Sequence, residues 1–211
     1  MTSDPDKPDK PLRAGSAPKR AAILAAAREL FLADGFDRTS VDAVSARAEV
    51  SKRTVYDYYG DKRALLLAVV EAASQALMDA VQVEINENLT EFDDLETALI
   101  VFSTRIATST VGSSDYGVLT RLIMTEAAHL PELLDHWMED APEEAVAERM
   151  AEFDRRGLLK VPDPRLAADH FIALALLPLL RSQQKPHRTD DPRERRLLVE
   201  GVRAFLRAYA P

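Results

Sequence analysis

The stretch from Gly35 to Leu66, GFDRTSVDAVSARAEVSKRTVYDYYGDKRALL, decides the fold. Its apolar residues recur with a helical period, and small polar residues stand where helices begin. The pattern predicts two short helices joined by a tight turn, and then the start of a third. The second short helix, residues 51–58, gathers Ser, Lys, Arg, Thr and Tyr, which bind phosphates and base edges. This layout predicts a helix-turn-helix whose second helix enters the DNA major groove.

Helix start and stop signals extend this prediction along the chain. Thr39 or Ser40 is expected to cap the first short helix, Ser51 the second and Asp61 the long helix after it, while Gly35 ends the preceding helix. Further helices are expected near residues 93–110, 115–129, 132–156, 164–184 and 192–209. No stretch alternates with a period of two. The predicted fold class is therefore all-α, with about nine helices.

Three regions follow from this pattern. Residues 1–17 mix Pro, Asp and Lys and predict a disordered N-terminal arm. Residues 18–64 form the predicted helix-turn-helix DNA-binding domain, and residues 65–211 a larger helical domain. A solvated tail and an arm that reaches the minor groove remain alternatives for the basic residues near this end, Lys7, Lys10, Arg13, Lys19 and Arg20.

The net charge of −8 is unevenly distributed along the 211 residues. Residues 1–70 hold 12 Lys and Arg against 10 Asp and Glu, a net charge of +2. The remaining residues hold 15 against 25, a net charge of −10. A slightly basic N-terminal part, residues 1–70, which we call the head, suits a protein that touches phosphate with this part alone. The acidic remainder argues against a non-specific architectural DNA binder.

The amino-acid composition argues against several other classes of protein. The chain contains no cysteine, so disulfides, thiolate metal sites and thiol chemistry are excluded, as expected for a cytoplasmic protein. No uninterrupted apolar run reaches about 18 residues, so no membrane association is expected. No nucleophile elbow or phosphate-binding glycine loop is present, so the chain is not expected to be an enzyme.

The head resembles the TetR family of bacterial regulators over about residues 19–70. A second stretch, residues 119–142, is similar to the C-terminal domain of the AefR-like branch. The residues of the head that match the family pattern are Phe31, Gly35, Phe36, Thr39, Val41, Val44, Ala48, Val50, Ser51, Thr54, Val55, Tyr56, Tyr58, Tyr59, Lys62, Leu65 and Leu66.

The resemblance implies a repressor that binds a palindromic operator as a homodimer. It further implies that residues 65–211 mediate ligand binding and dimerisation, and that a small apolar or amphipathic ligand releases the DNA. An activator of the same fold remains an alternative. Two residues depart from the family pattern: Glu49 stands in the turn where Gly is usual, and Arg53 stands where Gly is common. A left-handed turn costs a non-Gly residue about 1 kcal/mol, so the turn should survive.

Lys52 and Arg53 are the candidates for reading bases, since Arg is the commonest reader of guanine. The candidates for the DNA backbone carry hydroxyls or a point charge near helix starts: Thr39, Ser40, Ser51, Thr54, Tyr56, Tyr58 and Lys62. Three alternatives remain: Ser51 as a cap only, Tyr58 as a brace over Val41, and Lys62 as a solvated first-turn residue.

Aromatic and aliphatic residues on several predicted helices could line a ligand cavity or fill a core, with a few polar residues able to orient a ligand. These candidates are Phe102, Arg105, Ile106, Arg121, Met124, His129, Trp137, Phe153, Phe171 and Leu174. The spacing of Glu126 and His129 resembles half of a di-iron helix, but such sites need two of these motifs and two further carboxylates. A metalloenzyme is therefore a minor alternative, and no metal or cofactor is expected.

The run FIALALLPLL, residues 171–180, is apolar on nearly every face and must be covered all round. A partner chain would cover it, as the family's dimer of two helix pairs implies. The candidate interface residues on the last two predicted helices are Leu166, Leu177, Leu180, Leu197, Leu198, Phe205 and Leu206. Pro178 is expected to kink the first of these helices.

Overall fold

The computed structural model describes residues 16–111, 120, 122–127, 130–133, 143–177 and 192–211. Helix α1 spans Ser16–Asp34, α2 Val41–Arg47, α3 Lys52–Tyr59 and α4 Lys62–Asn88. Helix α5, Leu95–Arg105, continues into a π-helical segment, Ile106–Val111. Helix α6 spans Glu143–Arg155, α7 spans Pro164–Phe171 and continues into a second π-helical segment, Ile172–Leu176, and α8 spans Pro192–Ala208.

The all-α prediction is confirmed, because no strand occurs within the described ranges. Parts of the helices expected at 115–129, 132–156 and 164–184, with the predicted kink at Pro178, lie outside the described residues. Most of the expected N-terminal arm also lies outside them, but Ser16 and Ala17 belong to α1.

Side-chain caps are found at the helix starts where the sequence has small polar residues. The Ser40 hydroxyl accepts a hydrogen bond from the Ala43 amide at 3.1 Å, and Ser51 accepts one from Thr54 at 3.1 Å. The Asp61 carboxylate accepts one from the Ala64 amide at 2.8 Å. Ser40 rather than Thr39 is therefore the cap of α2, and the predicted caps at Ser51 and Asp61 are confirmed.

The chain divides into two compact units, one up to Val69 and one from Val70 to Pro211. The first corresponds to the head, which from here on ends at Val69, and we call the second the body. The division falls later than the predicted boundary at residue 64, because the first turns of α4 belong to the head. Leu65, Leu66 and Val69, from those turns, are buried.

The core of the body is built from α4, α5, α6, α7 and α8. Five phenylalanine side chains in the chain are almost completely buried, and four of them, Phe102, Phe153, Phe171 and Phe205, belong to this core. Phe171 contacts two of the others: its ring centroid lies 6.2 Å from that of Phe102 and 5.3 Å from that of Phe205. These contacts join α5, α7 and α8.

Helix α8 crosses the second π-helical segment at Gly201. A Cβ atom at this position would lie 2.1 Å from the carbonyl oxygen of Leu174 and 2.7 Å from its carbonyl carbon. Both atoms belong to the backbone, which cannot move aside like a flexible side chain. Glycine is therefore required for this close approach.

Judged by length and composition alone, α4 could cross a membrane, and it is the one helix among the described residues for which this holds. Its exposed face nevertheless carries a polar stripe along its length, formed by Glu71, Gln75, Asp79, Gln82 and Asn86. Gln75 donates to Asp79 at 2.9 Å, and Gln82 donates to Asn86 at 3.1 Å. A polar stripe opposite a buried apolar face is typical of a helix at the surface of a water-soluble domain.

Candidate nucleic-acid interface

The turn between α2 and α3 has the left-handed conformation expected for it. Glu49 has a φ angle of 54°, the one positive value among the described non-glycine residues. The Val50 amide donates to the Ser45 carbonyl at 3.0 Å, which closes the turn. The prediction that this turn survives a non-glycine residue is confirmed.

Helix α3 is held to the head by one face. Val55 and Tyr59 are buried, and the Tyr59 hydroxyl donates to the Arg20 carbonyl on α1 at 3.2 Å. Burial raises the pKa of the Tyr59 phenol, which therefore remains protonated as a donor at neutral pH. The opposite face is open to solvent and presents Arg53, Tyr56 and Asp57.

Carboxylates accompany the cations on the exposed surface of the head. The Lys52 ammonium lies 2.9 Å from the Asp42 carboxylate, and the hydrogen bond between them raises the pKa of Lys52. The Arg53 guanidinium lies 3.8 Å from Asp57, one turn further along α3. Asp42 and Asp57 are not among the residues that the sequence predicts at this surface, although the i, i+4 spacing of Arg53 and Asp57 indicates an ion pair.

Serine and threonine near the start of α3 bond to each other. The hydroxyls of Ser51 and Thr54 lie 2.7 Å apart. Ser40 and Ser51 are exposed caps, and Thr54 and Tyr58 are half-buried. The ring of Tyr58 lies 6.4 Å from that of Tyr59 in a tilted arrangement.

The side chain of Thr39 points into the head rather than outward. It is 3 % exposed, and its hydroxyl lies 3.1 Å from the Leu30 carbonyl and 2.8 Å from the Gly35 carbonyl. The hydroxyl therefore ties the end of α1 to the start of α2. Because the Thr39 hydroxyl is buried and hydrogen-bonded to carbonyls within the head, we remove the Thr39 side chain from the phosphate candidates.

Lys62 is also directed inward. Its ammonium donates to the carbonyls of Phe36 at 2.9 Å and Thr39 at 3.1 Å, and it lies 4.2 Å from the centre of the Phe36 ring. This geometry argues against a solvated side chain and favours a structural role of Lys62 over a phosphate contact. Lys62 fastens the first turn of α4 to the loop between α1 and α2.

The ligand candidates fall into separate environments in the body. Phe102, Ile106, Phe153 and Phe171 are buried in its core, whereas Met124 and Leu174 are exposed. The Arg105 guanidinium lies 3.9 Å from Glu84 and 3.8 Å from Glu87, so it joins α5 to α4. Three further candidates, Arg121, His129 and Trp137, lie outside the described residues.

The interface candidates also divide by burial. Leu166, Leu177 and Leu197 are exposed, whereas Leu198 and Phe205 are buried inside the single chain and Leu206 packs against that core. We therefore remove Leu198 and Phe205 from the candidate interface, whereas Leu206 is only partly buried and stays a candidate. Leu180 lies outside the described residues. The exposed Leu174, at 40 %, lies one turn before Leu177 and extends the apolar surface.

The metal alternative at Glu126 and His129 falls only partly within the described part of the chain. His129 lies outside it, and no group of three or more potential metal ligands occurs among the residues that the structure describes.

Family comparisons cover both units. Residues 23–69 match the bacterial regulatory proteins of the tetR family, and residues 97–211 match the AefR-like transcriptional repressor C-terminal domain. The DNA-binding transcriptional repressor TetR of Mycobacteroides abscessus is 38 % identical over 63 residues, which are 30 % of this chain and 33 % of that protein. The chain thus matches about a third of the length of that curated relative.

Solved structures extend the similarity to nearly the whole chain. A TetR-family transcriptional regulator from Mesorhizobium loti superposes with a TM-score of 0.85 at 27 % identity, covering 94 % of this chain and 100 % of the other. The flavonoid-responsive regulator FrrA superposes with a TM-score of 0.69 at 28 % identity, covering 92 % and 97 %. The matched families consist of transcriptional regulators rather than enzymes. The chain belongs to the TetR family of bacterial regulatory proteins, with an AefR-like C-terminal domain.

Proposed function

We propose that this protein is a cytoplasmic transcriptional repressor that binds a palindromic operator as a homodimer and is released by a small apolar or amphipathic ligand. One observation carries the proposal: α3 is fixed by the buried Val55 and Tyr59, while Arg53 and Tyr56 face solvent. A rigid helix with a cationic and hydroxyl-bearing outer face is what major-groove recognition requires.

The proposed DNA contacts divide into two kinds. Lys52 and Arg53 read base edges, where a bidentate arginine selects guanine. Hydroxyls of the caps and of α3 position the head on phosphates, and the caps Ser40 and Ser51 lie at helix N-termini, which favour anions. The residues proposed for this positioning are Ser40, Ser51, Thr54, Tyr56 and Tyr58.

Exposed leucines on α7, its π-helical continuation and α8 support the dimer. Leu166, Leu174 and Leu177 are each about two-fifths to one-half exposed, as is Leu197. Large apolar side chains exposed together indicate a surface that a partner covers. A two-fold dimer would place its recognition helices about 34–36 Å apart, or a multiple of this distance, in successive major grooves.

The proposed ligand is a small aromatic molecule bound in the body. FrrA, 28 % identical, is described as responsive to flavonoids. The contact between Phe102 and Phe171 stands directly beside both π-helical segments, which begin at Ile106 and Ile172. Such segments frequently occur at functional sites, because their wider turns displace backbone groups from the regular helical pattern.

A mobility-shift titration tests DNA binding. The protein is incubated with DNA that flanks its own gene, in the presence of excess random DNA. We expect a shifted band that random DNA does not compete away and that a flavonoid probe releases. Failure to bind the flanking DNA more tightly than random DNA would contradict sequence-specific repression. Persistence of the band at saturating flavonoid would contradict the ligand class alone.

A further inference from the structure

Asp57 occupies the exposed face of α3 beside the base-reading candidate Arg53. The side chain of Asp57 is 66 % exposed and that of Arg53 is 89 % exposed, with 3.8 Å between the carboxylate oxygen Oδ2 and Nε of the guanidinium. Exposed ion pairs of this kind contribute little free energy. Both side chains can therefore turn toward DNA at small cost.

A carboxylate on a helix in the major groove needs a specific partner. It is surrounded there by phosphates, which repel it, and it can only accept hydrogen bonds. Guanine and thymine present acceptor atoms in this groove, whereas the amino groups of cytosine and adenine donate. Adenine places its N7 acceptor beside that amino group, so cytosine is the base that a carboxylate accepts best.

The two side chains lie one helical turn apart on the same exposed face of α3. Their charged atoms come within 3.8 Å of each other, so both can reach the same short stretch of the major groove, where successive bases along one strand rise by about 3.4 Å. We propose that Asp57 is a specificity-determining residue, whose carboxylate accepts a hydrogen bond from the amino group of a cytosine beside the guanine read by Arg53. This inference rests on the proposed function, because it requires α3 to enter the major groove.

The test is selection of bound duplexes from a random pool, followed by titration of the selected sequences. The wild-type protein should enrich a guanine and a cytosine in adjacent base pairs of each half-site. Asp57→Asn keeps the shape of the side chain but adds a donor, which suits the N6 and N7 atoms of adenine. We expect this variant to lose about 5- to 150-fold in its preference for cytosine and to enrich adenine at that position.

Asp37→Asn is the matched control. Asp37 is an exposed carboxylate of the same head, in the loop between α1 and α2. Its substitution removes the same charge and should raise affinity equally for all sequences, if at all. If Asp57→Asn behaves in this way, or keeps the preference for cytosine, Asp57 does not read a base and the inference is wrong.

The two proposals fail differently. If the wild-type protein and Asp57→Asn enrich the same motif, the protein binds DNA sequence-specifically but Asp57 does not read a base. If the wild-type protein enriches no motif, both proposals fall. Thermal unfolding of the variants checks that they are folded, and we expect little change in stability for substitutions at exposed positions.

Discussion

The Lys62 ammonium is held between the Phe36 and Thr39 carbonyls and the Phe36 ring. A cation in the first turn of a helix does not benefit from the helix dipole, which favours negative charge there. The carbonyl oxygens supply the compensation. At the residue scale, this lysine therefore acts on the head by fixing the loop from which α2 begins.

Lys62→Met keeps the apolar stem and removes the charge. Loss of hydrogen bonds from a charged group should lower the free energy of unfolding of the head by about 1–3 kcal/mol. DNA affinity should fall through this loss of order, while the dependence of binding on salt concentration should stay as in the wild type. Urea unfolding and titrations at several salt concentrations measure both quantities. An unchanged stability with a salt slope reduced by about one unit would instead show a phosphate contact.

Glu49 adopts a left-handed conformation that favours glycine. Glu49→Gly should remove that conformational cost, although the glycine also makes the unfolded chain more flexible. We expect a net gain of about 0.5–1 kcal/mol in the free energy of unfolding of the head, measured by urea denaturation. Glu49→Ala serves as the control, because alanine keeps the cost. A Glu49→Ala variant more stable than Glu49→Gly would show that the turn is not strained.

The elements of the head could be predicted from the sequence because their boundaries depend on local chemistry. Ser40, Ser51 and Asp61 each bond to an amide three residues ahead, and Gly35 has a φ angle of 83° where α1 ends. The roles of Thr39 and Lys62 could not be predicted in this way. Their partners are carbonyls presented by a loop whose path depends on tertiary packing.

In the body, helical periodicity marked apolar positions without saying which partner covers them. Leu197 and Leu198 are adjacent on α8, yet the first is exposed and the second is buried in the core of the chain. Apolar residues recur with the same helical spacing in the sequence whether the surface that covers them belongs to the same chain or to another chain. The separation of core from candidate interface therefore required the structure.

The crossing of α8 over the second π-helical segment supplies a prediction at the element scale. Gly201→Ala would place a methyl group against the Leu174 carbonyl, so the two helices must separate. We expect a loss of about 1–3 kcal/mol in the free energy of unfolding of the body. In an unobstructed helix the same substitution stabilises the helix by about 1 kcal/mol. The sign of the change in the free energy of unfolding therefore distinguishes an obstructed from an unobstructed Gly201. A more stable variant by calorimetry would contradict the required close approach.

At the scale of the whole molecule, the acidic body and the nearly neutral head set how strongly the protein responds to salt. The proposed dimer neutralises phosphates with both heads, so the logarithm of the binding constant should fall linearly with the logarithm of salt concentration. Titrations between about 50 and 200 mM salt measure the slope. A slope near zero on the selected operator would contradict a binding mode that includes phosphate contacts.

Assembly is tested at the exposed leucines. Leu177→Asp places a charge on the proposed interface, where burial without a partner is strongly unfavourable. We expect a monomer by sedimentation and loss of operator binding, although Leu177 lies in the body and far along the chain from the head. Val83→Asp is the control, since Val83 is an exposed apolar residue of α4 and should leave the dimer intact. A wild-type protein that sediments as a monomer at micromolar concentration would contradict the dimer and the palindromic operator.

The ion pairs on the outer surface of the head also bear on how fast the protein finds its operator. Lys52 and Arg53 each have a carboxylate nearby, which weakens attraction to any phosphate backbone. Short-lived encounters with unrelated DNA leave more protein in solution and make sliding along the duplex brief. We therefore expect this regulator to locate its operator mainly through repeated three-dimensional collisions, with a search time that depends less on genome length than that of a more basic head.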